Sequence, residues 1–371
     1  MSIKILPKKV QLTELFYDLV FVYAISQATG LIHHIPEGST FWIQFIVFSV
    51  VMIVFINTWM VETVFTNRFG RNSISNIMFF MVDMAILLFM SNNFVGRLQN
   101  WFQPFAIATA LLSATLVLQY VAVYRKATKQ VDKDISKLFI YILSLRTGML
   151  LIGAFLPFTL GISVALIGII ASWVLPGIFT PRMRNKPINF PHLLERVNAL
   201  VIISFGEAIV DIAHYFDLKA LNIYSIFIFV VICALFMSYI TQFDHFIDEN
   251  KINETGNRLI YLHYPILFGI SLITVSLNFI EETDMSKVFS SGVLYVGIIL
   301  FYVGLFLADY YNKSTLKKEN YVRACFCIST ILGLIISLFA PTFTVIVLVT
   351  LLVTVINSFV LSMSMVWQTR K

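Results

Sequence analysis

Two carboxylates lie at the start of the first long apolar segment of the sequence. Glu14 and Asp18 are four residues apart, so on a helix they share one face, where two ionised carboxylates repel each other. A charged carboxyl in the middle of a membrane span costs about 2.5–3.5 kcal/mol. We therefore expect one of the two to be neutral or to have a cationic partner. The alternative for Glu14 is that it only stabilises the positive end of its helix.

A second set of ionisable residues lies in the seventh apolar segment. Arg196, Glu207 and His214 are eleven and seven residues apart, which places them within about 20° of one another around a helix axis. They are predicted to form a polar stripe, with Glu207 deep in the hydrocarbon region. An unpartnered ion at that depth is unfavourable. Glu207 is therefore expected to be neutral, paired or hydrated.

Three more residues are predicted to lie inside membrane spans. Asp83 and Arg146 have similar predicted depths in the third and fifth segments, and we expect them to form a buried ion pair or gate. His263, in the ninth segment, titrates near neutral pH and is a candidate proton relay. Structural roles remain open for all three, because an ion pair also fixes helix packing and a membrane histidine also serves as a hydrogen-bonding residue.

The composition indicates that membrane-spanning helices position these residues. The chain has 371 residues, of which 58% are hydrophobic and 12% are charged, and its mean hydropathy is +0.85. The apolar runs are continuous, unlike the alternating segments of a transmembrane barrel. We predict an all-α bundle with about twelve spans, near 13–33, 41–61, 74–91, 101–124, 137–156, 159–179, 193–214, 222–240, 258–278, 288–309, 321–339 and 342–363.

Signals for catalysis, metals and cofactors are missing from the sequence. Cys233, Cys325 and Cys327 lie within predicted spans, without a spacing typical of zinc or disulfides. The chain contains no Walker loop, nucleotide-binding glycine fingerprint, HExxH motif or nucleophile motif. We expect no enzyme activity, metal or cofactor. An intramembrane enzyme that uses two facing carboxylates for acid and base catalysis is the least favoured class.

The positive charges predict the orientation of the chain. Most of the 26 Lys and Arg residues fall in alternate short loops, and the positive-inside rule places those loops and both termini in the cytoplasm. We expect a multipass protein of the cell membrane. The net charge of +6 follows from this asymmetry, so the expected partners are the lipid bilayer and an unknown ion or small solute, and no nucleic acid.

The two halves of the sequence show a weak internal repeat. Aligning the first segment with the seventh matches Glu14 with Glu195 and Leu19 with Leu200. Two six-helix pseudo-repeats would share one orientation, since each contains an even number of spans. The predicted organisation is an N-terminal half (1–179), a cytoplasmic connector (180–192) and a C-terminal half (193–371).

Several segments carry a family resemblance. "ELFYDLVFVYAISQ" at 14–27 and "HLLERVNALVIISFGEAIV" at 192–210 resemble the signature segments of the bacterial low temperature requirement A family, and "WMVETVFTNRFG" at 59–70 and "YLHYPILFG" at 261–269 are similar to further family segments. The resemblance implies a polytopic membrane protein linked to growth in the cold. It also assigns signature positions, which are Glu14, Asp18, Gln27, Glu195, Arg196, Gly206, Glu207 and His263.

These observations favour a secondary transporter or an ion- or proton-conducting protein. The predicted pathway lies between the two halves and is lined by acidic residues, with protonation as the switch and His263 as the relay. The candidate pathway residues are Glu14, Asp18, Glu195, Arg196, Glu207 and His263. The alternative is a membrane sensor, scaffold or lipid-interacting protein whose buried ion pairs are structural.

Overall fold

The computed structural model describes residues 8–33, 40–252, 254–281 and 285–370, apart from the side chains of His33 and Arg182. Within this part of the chain, twelve helices are long and apolar enough to cross a membrane, which confirms the predicted all-α multipass class. They are α1 (Leu12–His33), α2 (Phe41–Phe69), α3 (Ile74–Ser91), α4 (Leu98–Lys126), α5 (Gln130–Phe155), α6 (Phe158–Ile178), α7 (Phe190–Asp211), α8 (Ile223–Ile240), α9 (Asn257–Glu281), α10 (Lys287–Leu307), α11 (Asn320–Phe339) and α12 (Phe343–Arg370).

Several helices extend beyond the predicted spans. Helix α2 continues to Phe69, eight residues past the predicted end at 61, and α5 begins at Gln130, before the predicted start at 137. Hydropathy reports the lipid-facing part of a helix, whereas backbone hydrogen bonding continues into polar sequence. In the last turns of α2, the polar residues Glu62, Thr66 and Asn67 are buried. Protein partners, and not lipid, surround this part of the helix.

By its contacts the chain divides into two units. Unit 1 comprises Met1–Leu200 with Asn250–Ile260, and unit 2 comprises Val201–Glu249 with Tyr261–Lys371. The division falls within α7 and α9. The first eleven residues of α7 therefore belong to the same unit as α1–α6.

Unit 1 is built around α1, which packs on α2 and α3, while α4 packs on α5 and α5 on α6. Helices α5 and α6 approach closely at Gly153 and Gly161, because a Cβ on Gly153 would lie 2.6 Å from the Gly161 carbonyl oxygen. Small residues at such crossings allow close backbone approach in membrane bundles. The contact between α1 and α2 places the polar end of α2 beside α1.

In unit 2, α12 packs on α8 and α11, and α10 packs on α11. Helices α9 and α10 approach at Gly269, where an added Cβ would lie 2.7 Å from the Gly297 carbonyl oxygen and 2.7 Å from the Phe301 backbone nitrogen. The backbone of α10 leaves no room for a methyl group here.

Substitution of Gly269 by alanine should destabilise the protein. The methyl group meets backbone atoms that cannot rotate away, so we expect a loss of about 1–3 kcal/mol from overpacking. The control is Gly292→Ala on α10, where an added Cβ meets nothing within 4 Å. We expect it to be neutral or to stabilise slightly, since alanine favours helix over glycine. Thermal unfolding in detergent compares the two variants, and equal midpoints would contradict the close contact.

Candidate functional site: a buried acidic cluster

Four carboxyl groups of unit 1 are buried near one another. Glu14 and Asp18 lie on α1, Glu62 on α2 and Asp83 on α3, and each residue is at most 3% exposed. Glu62 lies within electrostatic range of both Asp83 and Glu14. We call these four residues the acidic cluster. Their burial requires a cation, a proton or a hydrogen-bond donor for each ionised oxygen.

Asp18 forms a fully buried ion pair with Arg196 of α7. The guanidinium Nη2 contacts Asp18 Oδ1, and Nε donates to Asp18 Oδ2 at 3.2 Å. Trp59 Nε1 donates to the same carboxylate at 2.7 Å, and its ring centroid lies 5.4 Å from the guanidinium carbon. Both side chains of the pair are completely buried. Of the two alternatives expected for the α1 carboxylates, a neutral carboxyl or a cationic partner, the structure shows Arg196 beside Asp18.

Glu14 is held by His192, one helical turn before Arg196. His192 Nε2 lies 3.2 Å from Glu14 Oε2, with both side chains buried. The same oxygen accepts the Gln11 backbone N–H at 2.9 Å. Arg196 Nη1 lies 3.9 Å from Glu14 Oε1 and donates to Thr66 Oγ1 at 3.3 Å. One guanidinium thus serves both acids of α1 but contacts Asp18 more closely.

The hydrogen-bond partners of His192 indicate which of its ring nitrogens accepts. The Asn67 amide is oriented by the Asn189 backbone, which donates to Asn67 Oδ1 at 2.8 Å and accepts from Asn67 Nδ2 at 2.9 Å. Asn67 Nδ2 also lies 3.1 Å from His192 Nδ1, so Nδ1 must accept. A neutral imidazole that accepts at Nδ1 carries its proton on Nε2. In this tautomer His192 Nε2 donates to Glu14 Oε2.

The other two acids contact only uncharged donors. Asp83 Oδ1 accepts from Thr115 Oγ1 at 2.6 Å, and Glu62 Oε2 lies 3.4 Å from Gln119 Nε2. Thr115 and Gln119 are one turn apart on α4, where side chains are neighbours, so the two carboxyls occupy adjacent turns of one surface. In the described part of the chain, no Lys, Arg or His forms an ion pair with either of them. Arg196 lies within electrostatic range of Glu62 but directs its closest contacts to Asp18.

The predicted ion pair between Asp83 and Arg146 is not formed. Both residues are buried, but Arg146 Nη1 donates to Asn57 Oδ1 at 2.7 Å and Nη2 donates to Thr58 Oγ1 at 2.8 Å, whereas Asp83 accepts from Thr115. Similar depth along two helices does not specify which faces meet. In unit 1, Arg146 of α5 faces α2, and the carboxyl of α3 faces α4.

Glu62 and His192 were not among the residues singled out from the sequence. Glu62 lies just beyond the predicted end of its span, and His192 lies in the predicted connector. One signal was available for His192, since it precedes Arg196 by the same four residues that separate Glu14 from Asp18. Two pairs at this spacing can face each other across two helices. The structure shows this arrangement between α1 and α7.

The remaining predicted residues lie elsewhere. Glu195 is exposed on α7, and Glu207 is half-buried in unit 2. His214 belongs to the 3₁₀ turn Ile212–Phe216, and its Nε2 lies 3.0 Å from Glu281 Oε2, with both side chains partly exposed. His263 is buried in unit 2, where its Nε2 lies 3.1 Å from the Tyr239 hydroxyl. Of the predicted pathway residues, only Glu14 and Asp18 belong to the acidic cluster. Arg196 lies beside both of them.

We expect a buried lysine outside the spans to make the stability of unit 2 depend on pH. Lys318 Nζ lies 2.8 Å from Asp309 Oδ1 and donates to the Leu305 carbonyl oxygen at 2.9 Å. Burial lowers the pKa of Lys318 from 10.5 to about 8, although Asp309 opposes the shift. Between pH 8 and 10.5 the folded protein then binds fewer protons than the unfolded chain. Its stability should therefore rise with pH there, by up to about 1.4 kcal/mol per pH unit.

The corresponding measurement is the thermal unfolding midpoint in detergent across this pH range. The contribution of Lys318 is complete above pH 10.5 and is lost as the pH falls through 8. The variant Lys318→Met has no group to titrate, so the difference between the two proteins should change across the window. A constant difference would show that Lys318 stays protonated in the folded protein.

The described residues place neutral and charged hydrogen-bond partners around the acidic cluster. Among the described residues, no group of three or more His, Cys, Asp or Glu side chains is arranged to hold a metal ion. Arg196 and His192 contact two carboxyls of the cluster, and the other two accept from the uncharged donors Thr115 and Gln119. Carboxyls that exchange protons and an arginine that exchanges partners are typical components of intramembrane proton relays.

Comparison with known proteins assigns a family. Residues 9–358 match the family model described as "Bacterial low temperature requirement A protein (LtrA)". A search of curated proteins finds no match.

Proposed function

The chain belongs to the bacterial low temperature requirement A (LtrA) family, and on that premise we propose that it is a proton-binding secondary transporter or ion-conducting protein. The acidic cluster of unit 1 is the proposed proton site. The multipass architecture, with twelve apolar helices among the described residues, supports a role within the membrane. The family match is compatible with this proposal but names no transported species.

One observation carries the proposal. Four carboxyl groups are buried within unit 1, but among the residues that the structure describes, Arg196 is the only arginine whose guanidinium contacts any of them. A buried carboxylate without a cation is costly, so such a group pairs with a cation or takes up a proton. Glu62 and Asp83 accept from donors on adjacent turns of α4. If both were ionised, they would repel each other in a medium of low dielectric constant. Glu62 and Asp83 therefore need a shared proton or a bound cation.

The ion pair supplies a way to couple proton binding to movement. Arg196 lies against Asp18 and is already 3.9 Å from Glu14. A proton that reaches Asp18 removes its charge, and the guanidinium then has Glu14 as its remaining anionic partner. The Arg196 side chain would move by about one helical turn along α1. Such a two-state element converts protonation into a change of packing.

The placement of the protein in the cell is also part of the proposal. We place it in the cell membrane with both termini in the cytoplasm, supported by the distribution of Lys and Arg. The proposal also includes the internal pseudo-repeat, which is supported by the alignment of the first apolar segment with the seventh. Glu207 and His263 are further proposed pathway residues. The proposal includes no enzymatic reaction and no cofactor.

Reconstitution into liposomes tests the function. The purified protein, in vesicles containing a pH-sensitive dye, should dissipate an imposed pH gradient faster than protein-free vesicles. If protons are coupled to a solute, the flux should increase when that solute is supplied. The absence of flux under every imposed proton, cation or small-solute gradient would contradict the proposal.

A second function, that of a sensor, scaffold or lipid-interacting protein, is favoured by one feature. The Asp18–Arg196 pair is sealed from solvent and fully hydrogen-bonded by Trp59 and Thr66, as in a structural pair. Neutralising Glu62 and Asp83 distinguishes the two functions. If these carboxyls have only a structural role, cells that carry the neutralised variant should grow in the cold as wild-type cells do. If they have a transport role, growth in the cold should be lost.

A further inference from the structure

A cavity of about 490 Å³ opens where the first turns of α5 meet the connector that precedes α7. Its lining includes Lys137, Tyr141, Asp134 and Asn185. The Lys137 Nζ lies 5.9 Å from the centroid of the Tyr141 ring, and both side chains are exposed. The cavity therefore combines a cation, an aromatic ring and an amide at one end of the helix bundle.

The exposed ridge of α5 changes in character along its length. Lys129, Lys133, Lys137 and Tyr141 follow one another at intervals of four residues, so they form one ridge that turns slowly around the helix. Leu145 continues this ridge and is 47% exposed, about 12 Å from Lys137 along the axis. The order of cation, tyrosine and aliphatic residue matches the passage from lipid headgroups to hydrocarbon.

The cavity lining carries one cation, Lys137, and one acid, Asp134, but the segments beside it have a positive net charge. Asp134 lines the cavity and accepts a hydrogen bond from Gln130 Nε2 at 2.8 Å, and Asp132 is neutralised by Lys186 at 2.7 Å. The cations of the adjoining segments outnumber these two acids. They are Arg125, Lys126, Lys129, Lys133, Lys137, Arg184 and Lys186. An anion is the complementary ligand.

We propose that this cavity binds the headgroup of an anionic phospholipid. The lipid phosphate would contact Lys137, which lines the cavity, with Lys133 one turn earlier on the same ridge. The glycerol region would lie beside Tyr141, and one acyl chain would follow Leu145 into the bilayer. Basic pockets at the cytoplasmic ends of membrane helices bind anionic headgroups in this way. The site is separate from the acidic cluster and does not depend on proton transport.

The test compares two lipids with identical acyl chains. The full-length protein in detergent is titrated with phosphatidylglycerol or phosphatidylcholine, and bound lipid is counted by native mass spectrometry. Phosphatidylglycerol should bind preferentially. Each lysine near an anionic surface contributes roughly a fivefold increase in affinity, so Lys133→Gln/Lys137→Gln should weaken binding by about 20- to 30-fold.

The matched control is Lys9→Gln/Arg71→Gln. Both residues are exposed and lie outside the cavity, at the end of the bundle where Lys8 of the N-terminal segment contacts the end of α2. This variant removes the same charge and should keep its preference for phosphatidylglycerol. Equal binding of both lipids, equal losses in both variants, or equal occupancy of the cavity by inorganic phosphate would overturn the proposal.

Discussion

Replacement of Arg196 by methionine should lower the free energy of unfolding by about 3–5 kcal/mol, the largest loss that we expect from a single substitution in this protein. The guanidinium is completely buried and contacts Asp18 with two of its nitrogens. Without it, Asp18 keeps only Trp59 as a donor, and a buried carboxylate is left without its cation. Thermal unfolding in detergent measures the loss.

Two further variants establish its cause. Asp18→Asn/Arg196→Met removes both charges while the asparagine oxygen still accepts from Trp59, so it should recover more than half of the lost stability. Arg323→Met breaks an ion pair of similar length, 3.0 Å to Asp309, but the Arg323 side chain is 50% exposed. It should cost less than about 1 kcal/mol. Equal losses in Arg196→Met and Arg323→Met would show that burial of the pair is energetically unimportant.

Glu62→Gln and Asp83→Asn should each reduce proton flux to the level of protein-free vesicles while the protein stays folded. Each substitution keeps the size of the side chain and a carbonyl oxygen to accept from Gln119 or Thr115. It removes the exchangeable proton and the repulsion between the two carboxyls. The free energy of unfolding should therefore stay within about 1 kcal/mol of the wild-type value, or rise.

The matched control for these two variants is Glu195→Gln. Glu195 is a signature position of the family, but its side chain is exposed on α7. Its neutralisation should leave the flux within experimental error of the wild-type value. Loss of flux in Glu195→Gln with retention in Glu62→Gln would move the proton site from unit 1 to the surface of α7.

Much of the fold could be predicted from the sequence, because a helix that crosses lipid must present a continuous apolar run. The twelve helices and their order follow from this constraint. Helix ends do not, as α2 shows. Its last two turns contain Glu62, Thr66 and Asn67, which low hydropathy assigned to a loop, although neighbouring helices bury them.

The site was only partly predictable for a related reason. The four-residue spacing of Glu14 and Asp18 indicated one shared face and left open whether a neutral carboxyl or a cationic partner relieves their repulsion. Hydropathy and depth, however, carry no information on which helices are neighbours or on how each is rotated about its axis. The expected Asp83–Arg146 pair was wrong on that account, since Arg146 faces Asn57 and Thr58.

The central claim is that Glu62 and Asp83 share a proton at neutral pH, and infrared spectroscopy measures it directly. A protonated carboxyl has a carbonyl stretching band that a carboxylate lacks. The wild-type protein at neutral pH should show such a band, and the band should be altered or lost in both Glu62→Gln and Asp83→Asn. If the wild-type protein shows no protonated carboxyl at neutral pH, or if both variants retain an identical band, the acidic cluster is not the proton site.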